Sequence, residues 1–212
     1  MKSTIRISII IVLLSAFCSL QAQTYRLELG YNKPIRYGTD VSSTPFNGIR
    51  LGVTAEFDLK NNFSLLTGAL YNFVYSNKLQ MYPNADSVTY RTLGHYLDIP
   101  IHVTYTYPIT KNLKVFGFAG PNFNIGLFQN QQTISTLSDA LNRTNGIVPG
   151  KVDMYNGSIL NRLNLQIGLG GGIQWKKYQL KAGYDFGINN INKSGSTNLN
   201  QSDWYISVAY EF

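Results

Sequence analysis

Cysteine, charge and long apolar runs are all scarce in this sequence, and each shortage excludes something. The one cysteine among 212 residues is Cys18, inside an N-terminal segment that reads as a leader. The chain that follows it therefore has neither a thiol nor a disulfide. Charged residues make up only 14 % of the chain, against about 25 % in ordinary soluble domains. The excess of basic residues is modest and scattered, which argues against a nucleic-acid site. Beyond the N-terminus no stretch approaches the roughly 18 consecutive apolar residues of a membrane helix. No shift in composition marks a second domain.

Aromatic residues, by contrast, are abundant, with 15 Tyr, 11 Phe and 2 Trp. The N-terminus, MKSTIRISIIIVLLSAFCSLQAQ, sets Lys2 and Arg6 ahead of an apolar run from Ile7 to Leu14 and small residues before a cleavage point after Ala22. This is the layout of a secretory signal peptide, residues 1–22. A lipoprotein reading would lipidate Cys18, but Phe17 is bulkier than the residue such processing prefers. Removing residues 1–22 takes away Lys2 and Arg6 and no acid, so the net charge falls from +7 to +5.

Period-2 alternation recurs through residues 23–212, which form one domain. Tyr25, Leu27, Leu29 and Tyr31 alternate with Arg26, Glu28, Gly30 and Asn32, and Ile49 to Phe57 alternate with Arg50, Thr54, Glu56 and Asp58. A third strand covers 63–76, with Leu66, Leu70 and Val74 on its second face. The fourth, 96–107, opposes Leu97, Ile99, Ile101 and Val103 to Asp98, His102 and Thr104. Strands over 113–128, 162–175, 178–189 and 203–212 bring the number to about eight. Short turns near 60, 110 and 176 alternate with longer loops near 35–45, 76–92, 129–157 and 190–202. A soluble sandwich has no reason to sort its connections by length, whereas an outer-membrane barrel has short periplasmic turns and long external loops. The fold class is therefore all-β, a membrane-spanning antiparallel up-and-down barrel in the cell outer membrane.

In lipid no sheet edge can stay unpaired, so the sheet closes, with the apolar parity facing lipid and the polar parity filling the lumen. The expected lumen network is Arg26, Glu28, Arg50, Glu56, Asp98, His102, Arg162, Lys181, Asp185 and Glu211, with Asp58 on the same parity. Charges of both signs can pair across a narrow interior, and such a lumen is either a structural network or a solute path. Tyr105, Tyr107, Trp175, Tyr178 and Phe212 should form an aromatic girdle at the periplasmic boundary.

YLDIPIHVTY from Tyr96, FGFAGPNFNIGL from Phe116 and the closing YISVAYEF resemble the PorT-like outer-membrane β-barrel family of Bacteroidetes-type Gram-negative bacteria. The resemblance covers nearly the whole mature chain and implies location and architecture, without shared catalytic residues. Tyr210 and Phe212 look like the signal that barrel-assembly machinery reads on a last strand. Expected surroundings are outer-membrane lipid and lipopolysaccharide, around a monomer that needs no cofactor or metal.

GLGGG (168–172) lies inside a strand with no helix after it, so a phosphate cradle is disfavoured. Inward glycines there would make room for large side chains from the opposite wall. Pro100 and Pro121 should mark bulges or bends. Asp98 and His102 share a parity and allow an acid–base pair, while His95 has no clear partner. The leading expectation is a non-enzymatic barrel acting through its external loops, set against a small-solute porin, a secretion accessory protein and, behind these, an outer-membrane enzyme.

Overall fold

The computed structural model describes residues 24–38, 41–193, 195 and 197–212. The expected signal peptide lies outside the described residues. The elements in chain order are β1 (Thr24–Gly38), β2 (Val41–Pro45), β3 (Asn47–Asp58), β4 (Phe63–Met81), β5 (Ser87–Pro108), β6 (Leu113–Ser135), helix α1 (Asp139–Thr144), β7 (Gly150–Asp153), β8 (Leu163–Trp175), β9 (Tyr178–Gly187) and β10 (Leu199–Glu211). Among the described residues no helix is long and apolar enough to cross a membrane.

Every strand pairs antiparallel with its neighbour in the order β10-β9-β8-β6-β5-β4-β3-β1, and β1 pairs again with β10. The ladder closes from Arg26↔Glu211 to Gly38↔Leu199, which leaves the wall without an open seam, as hydrocarbon requires. Eight strands thus form the wall. β2 and β7 prolong wall positions already occupied. The Phe46 amide donates to Pro34 O at 2.8 Å, so β2 and β3 run as one strand, interrupted where Pro34 has no amide to return.

The strands outrun the expected ones at their external ends. β4, β5 and β6 contain 19, 22 and 23 residues, whereas a tilted strand crosses the hydrocarbon in about 9–11. The expected loop at 76–92 is mostly ladder, from Ser76↔Thr92 to Met81↔Ser87. The expected 129–157 loop contains the end of β6, α1 and β7. Outside the membrane both faces of a strand meet water, so the alternation fades while the backbone pairing continues.

Leu27, Leu29, Ile49, Leu51, Val53, Val103, Leu169, Ile173, Ile206 and Val208 are exposed on the outer wall. At its periplasmic end Trp175, Tyr178, Tyr210 and Phe212 make successive ring contacts at 6.5, 5.4 and 6.0 Å, and Phe63 meets Tyr105 at 5.0 Å. Leu66, Leu70 and Val74 are buried, which settles the facing of β4: these three point inward.

The prolines do not mark the bulge. On β5 and β6 the register shifts between His95↔Phe128 and Tyr96↔Gly126, leaving Leu127 as the extra residue. Between Pro100↔Asn122 and Val103↔Ala119 the pairing lapses and resumes unshifted, with Gly120 at φ 154°. Pro100 therefore borders, and Pro121 lies within, a lapse in the β5–β6 pairing where no residue is inserted.

Candidate functional site

The lumen is filled in tiers. Nearest the periplasm Arg26 pairs with Glu56 and lies 3.3 Å from Glu211. Ser64 donates to Glu56, and Gln174 donates to Glu211 at 3.0 Å. Below this tier a hollow of about 370 Å³, lined by Lys114, Asp58 and Asn62 among others, opens toward the short turns.

In the middle tier Glu28 is the hub and is 0 % exposed. Lys181 Nζ reaches it at 2.5 Å, Arg50 Nε lies at 3.5 Å and Ser207 Oγ donates at 2.9 Å. Arg50 also lies 3.6 Å from Asp98, which accepts from Asn72 at 2.8 Å and Asn124 at 2.6 Å. The Arg50 guanidinium stacks 4.1 Å over the Tyr205 ring. Buried charges are tolerated where they are paired: Glu28 is hydrogen-bonded by Lys181 and Ser207, while Arg50 is held by its two carboxylate neighbours and the Tyr205 ring, its Nε and Nη1 making no hydrogen bond.

Beside and above this tier amides take over. Asn122 donates to Asp185 at 3.1 Å and to Gln166 at 2.9 Å. Asn32 bridges Asp203 at 3.0 Å and Asn72 at 3.1 Å. Higher still, Arg36 donates to Gln201 at 2.8 Å, Tyr96 at 2.9 Å and Gln129 at 2.6 Å. The mouth is capped by Phe46, Val74, Tyr96, Tyr155, Leu160 and Ile191. Two external segments interlock over it, Asn161 N donating to Ile191 O at 2.8 Å and Lys193 N to Ile159 O at 2.9 Å.

Of the expected network, Arg26, Glu28, Arg50, Glu56, Asp98, His102, Lys181 and Asp185 are buried, and Glu211 joins at the rim. Arg162 does not belong to it. It precedes the first residue of β8 and is exposed, so the inward parity stops short of it. It clamps the lid instead: Nη1 donates to Gly126 O at 3.1 Å and Leu127 O at 2.5 Å, Nη2 to Asn156 at 3.1 Å, and the guanidinium covers Tyr155 at 5.0 Å. Asp58 is likewise exposed, at the end of β3 beside the short turn into β4.

Asp98 and His102 do not form an acid–base pair. Asp98 is engaged by Asn72, Asn124 and Arg50, whereas His102 stacks on Phe118 at 5.0 Å with Nε2 unpartnered. His95 does have partners: its Nδ1 meets the Tyr71 hydroxyl, and its ring stacks on Phe128 at 3.8 Å. Among the described residues no group of three or more His, Cys, Asp or Glu is placed to hold a metal ion.

The glycines make room, but for neighbours. Phe116 pairs with Gly172 and Phe118 with Gly170 across β6 and β8. A Cβ on Gly172 would lie 2.6 Å from Phe116 Cζ, and one on Gly170 would collide with Phe118. Arg36, Asn32, Asn72, Asn122, Gln129, Gln166 and Asp203 extend the network beyond the expected charges. Arg36 was recoverable by carrying the even parity of Arg26, Glu28 and Asn32 forward through Pro34.

The chain matches the model of the outer membrane protein beta-barrel domain over residues 20–193. None of the curated proteins matches it. Among solved structures it is similar to Neisserial surface protein A, at 12 % identity and a TM-score of 0.47, covering 89 % of this chain and 97 % of that one. It is also similar to the attachment invasion locus protein Ail of Yersinia pestis, at 10 % identity and a TM-score of 0.41, covering 91 % and 100 %. The N-terminal β-barrel domain of Pseudomonas aeruginosa OprF follows at 12 % and 0.34, covering 87 % and 97 %. These superpositions are loose and carry nothing about function. The match along most of its length makes this chain a member of the outer membrane protein beta-barrel domain family, an integral barrel of the outer membrane.

Proposed function

We propose that this barrel is a structural, non-enzymatic component of the outer membrane that conducts no solute and acts through its external lid. The supporting observation is the stack of paired side chains from Arg26 to Arg36, closed above by the Phe46, Tyr155, Leu160 and Ile191 cap. An eight-stranded wall encloses an interior that side chains can fill, whereas water-filled porins need about sixteen strands. Lipopolysaccharide and lipid surround a monomer whose last strand, ending in Tyr210 and Phe212, is read by assembly machinery during insertion. The PorT-like affiliation, with a secretion accessory role, is the finer reading, and the motifs at Tyr96 and Phe116 carry it.

Reconstitution in a planar bilayer tests the closed lumen. The expected trace shows no sustained openings, and stable porin-like conductance from the wild type would overturn the reading.

A further inference from the structure

The described residues contain four buried cations, and three of them face carboxylates: Arg26 with Glu56 and Glu211, Arg50 with Glu28 and Asp98, and Lys181 with Glu28. Arg36 is the exception. It is 7 % exposed, and its Nε and Nη2 donate only to the neutral oxygens of Gln201, Tyr96 and Gln129. The next acid down the lumen, Asp203, is held by Asn32 and forms no ion pair with it. Arg36 lines a cavity of about 390 Å³ beneath the external lid.

That cavity has a second cation and a greasy wall. Lys78, half-buried and without an ion pair among the described residues, lines it, with Phe46, Met154, Ile159, Leu160 and Leu199 supplying apolar surface. No carboxylate among the described residues lines it. A guanidinium fixed by three acceptors, with its flat face 4.8 Å over Phe46, is pre-organised to donate to an anion at little further entropic loss. Concave sites of this size with an apolar lining and a few convergent polar groups are the usual form of small-molecule sites.

We infer that the cavity under the lid binds a small amphipathic carboxylate, its acid group on Arg36 and Lys78 and its apolar body against Ile159, Leu160 and Leu199. This goes beyond the structural reading of the barrel and survives or fails apart from it, since folding is scored independently by the heat-dependent gel shift.

Calorimetric titration of the nanodisc-embedded protein with 2-naphthoate and decanoate tests it, with 2-naphthylmethanol as the neutral isostere and empty nanodiscs as background. At least one acid should bind above background, and naphthoate should bind tenfold or more tightly than the alcohol. Lys78→Gln should weaken acid binding severalfold, and Ile159→Trp should abolish it by filling the cavity, each with the gel shift intact. Arg36→Gln should do the same where it folds, while the Lys78 and Ile159 variants carry the test where it does not. Equal affinity for acid and alcohol, no binding above empty nanodiscs, or binding unaffected by Ile159→Trp would each overturn the assignment.

Discussion

Replacing Glu28 with Gln would remove the carboxylate that holds Lys181 at 2.5 Å and Arg50 at 3.5 Å. Arg50 keeps Asp98 at 3.6 Å, but Lys181 has no other carboxylate partner among the described residues and is left as a buried, uncompensated ammonium. Breaking a buried pair from one side destabilises by about 3–5 kcal/mol, chiefly through the charge left behind. Lys181→Met alone should destabilise less, because Glu28 retains Arg50 and the Ser207 hydroxyl. The double variant Glu28→Gln, Lys181→Met deletes both ends of the short pair, so its loss should fall short of the sum by about 1–3 kcal/mol. The assay is urea unfolding in lipid bilayers, followed by Trp fluorescence and by the gel shift on heating. Burial also makes the coupling insensitive to added salt, unlike that of a surface pair. Strict additivity, or a coupling that disappears in 1 M salt, would refute the account of Glu28 as the hub.

Three further outcomes follow from other parts of the wall. Phe212→Ala removes an exposed terminal ring that meets Tyr210, and should lower the inserted fraction in cells; Ser207→Ala loses one hydrogen bond to Glu28, and should leave insertion intact while lowering the unfolding midpoint by about 1–3 kcal/mol equivalent. Equal insertion of both variants would remove the role given to the C-terminus. Gly172→Val should destabilise the barrel, because a Cβ there would collide with Leu180 O as well as lie 2.6 Å from Phe116 Cζ, so that Phe116→Ala in the same chain relieves only the lesser of the two clashes; melting of Gly172→Val at the wild-type temperature would count against this close approach. Arg162→Ala should free the lid from Gly126 and Leu127, seen as faster tryptic cleavage at Lys151 in otherwise folded protein, and unchanged cleavage would deny the clamp.

The alternation of residues was enough to locate the membrane-crossing strands and most of the central charges. It works there because each residue meets either lipid or the lumen, so polarity reports direction. Three readings failed, each toward the external end of a strand. Strand ends at Met81, Ser87 and Ser135 were invisible because water lies on both sides of the external ladder, where Asn77, Gln80 and Arg91 carry no directional preference. Arg162 was assigned inward by extending a parity beyond the first residue of β8. Arg36 was lost because the polar stretch after Pro34 reads as a turn, although β1 continues to Gly38. Pairings such as Glu28 with Lys181 join residues 153 apart, and no local pattern contains that information.

The glycine run shows how the packing and the electrostatics depend on each other. Inward glycines on β8 and β9 signal space, but the structure shows whose rings fill it: Phe116 and Phe118 lie against Gly172 and Gly170, and Tyr205 lies against Gly183, where a Cβ would come within 2.6 Å of its hydroxyl. An aromatic ring beside a glycine leans over the wall from the neighbouring strand and narrows the lumen from one side. That leaves the remaining width to Glu28, Arg50, Asp98 and Lys181. Two of these rings face the cations, with Arg50 4.1 Å from Tyr205 and Lys181 5.8 Å from both Phe118 and Tyr205. Phe118 and Tyr205 therefore exclude water from the pairs and offer the cations their electron-rich faces. In the drier interior the attraction between Lys181 and Glu28 is stronger than it would be in an open channel. The closed lumen and the strong central pair therefore have one origin, since glycines opened into a wet pore would weaken both together.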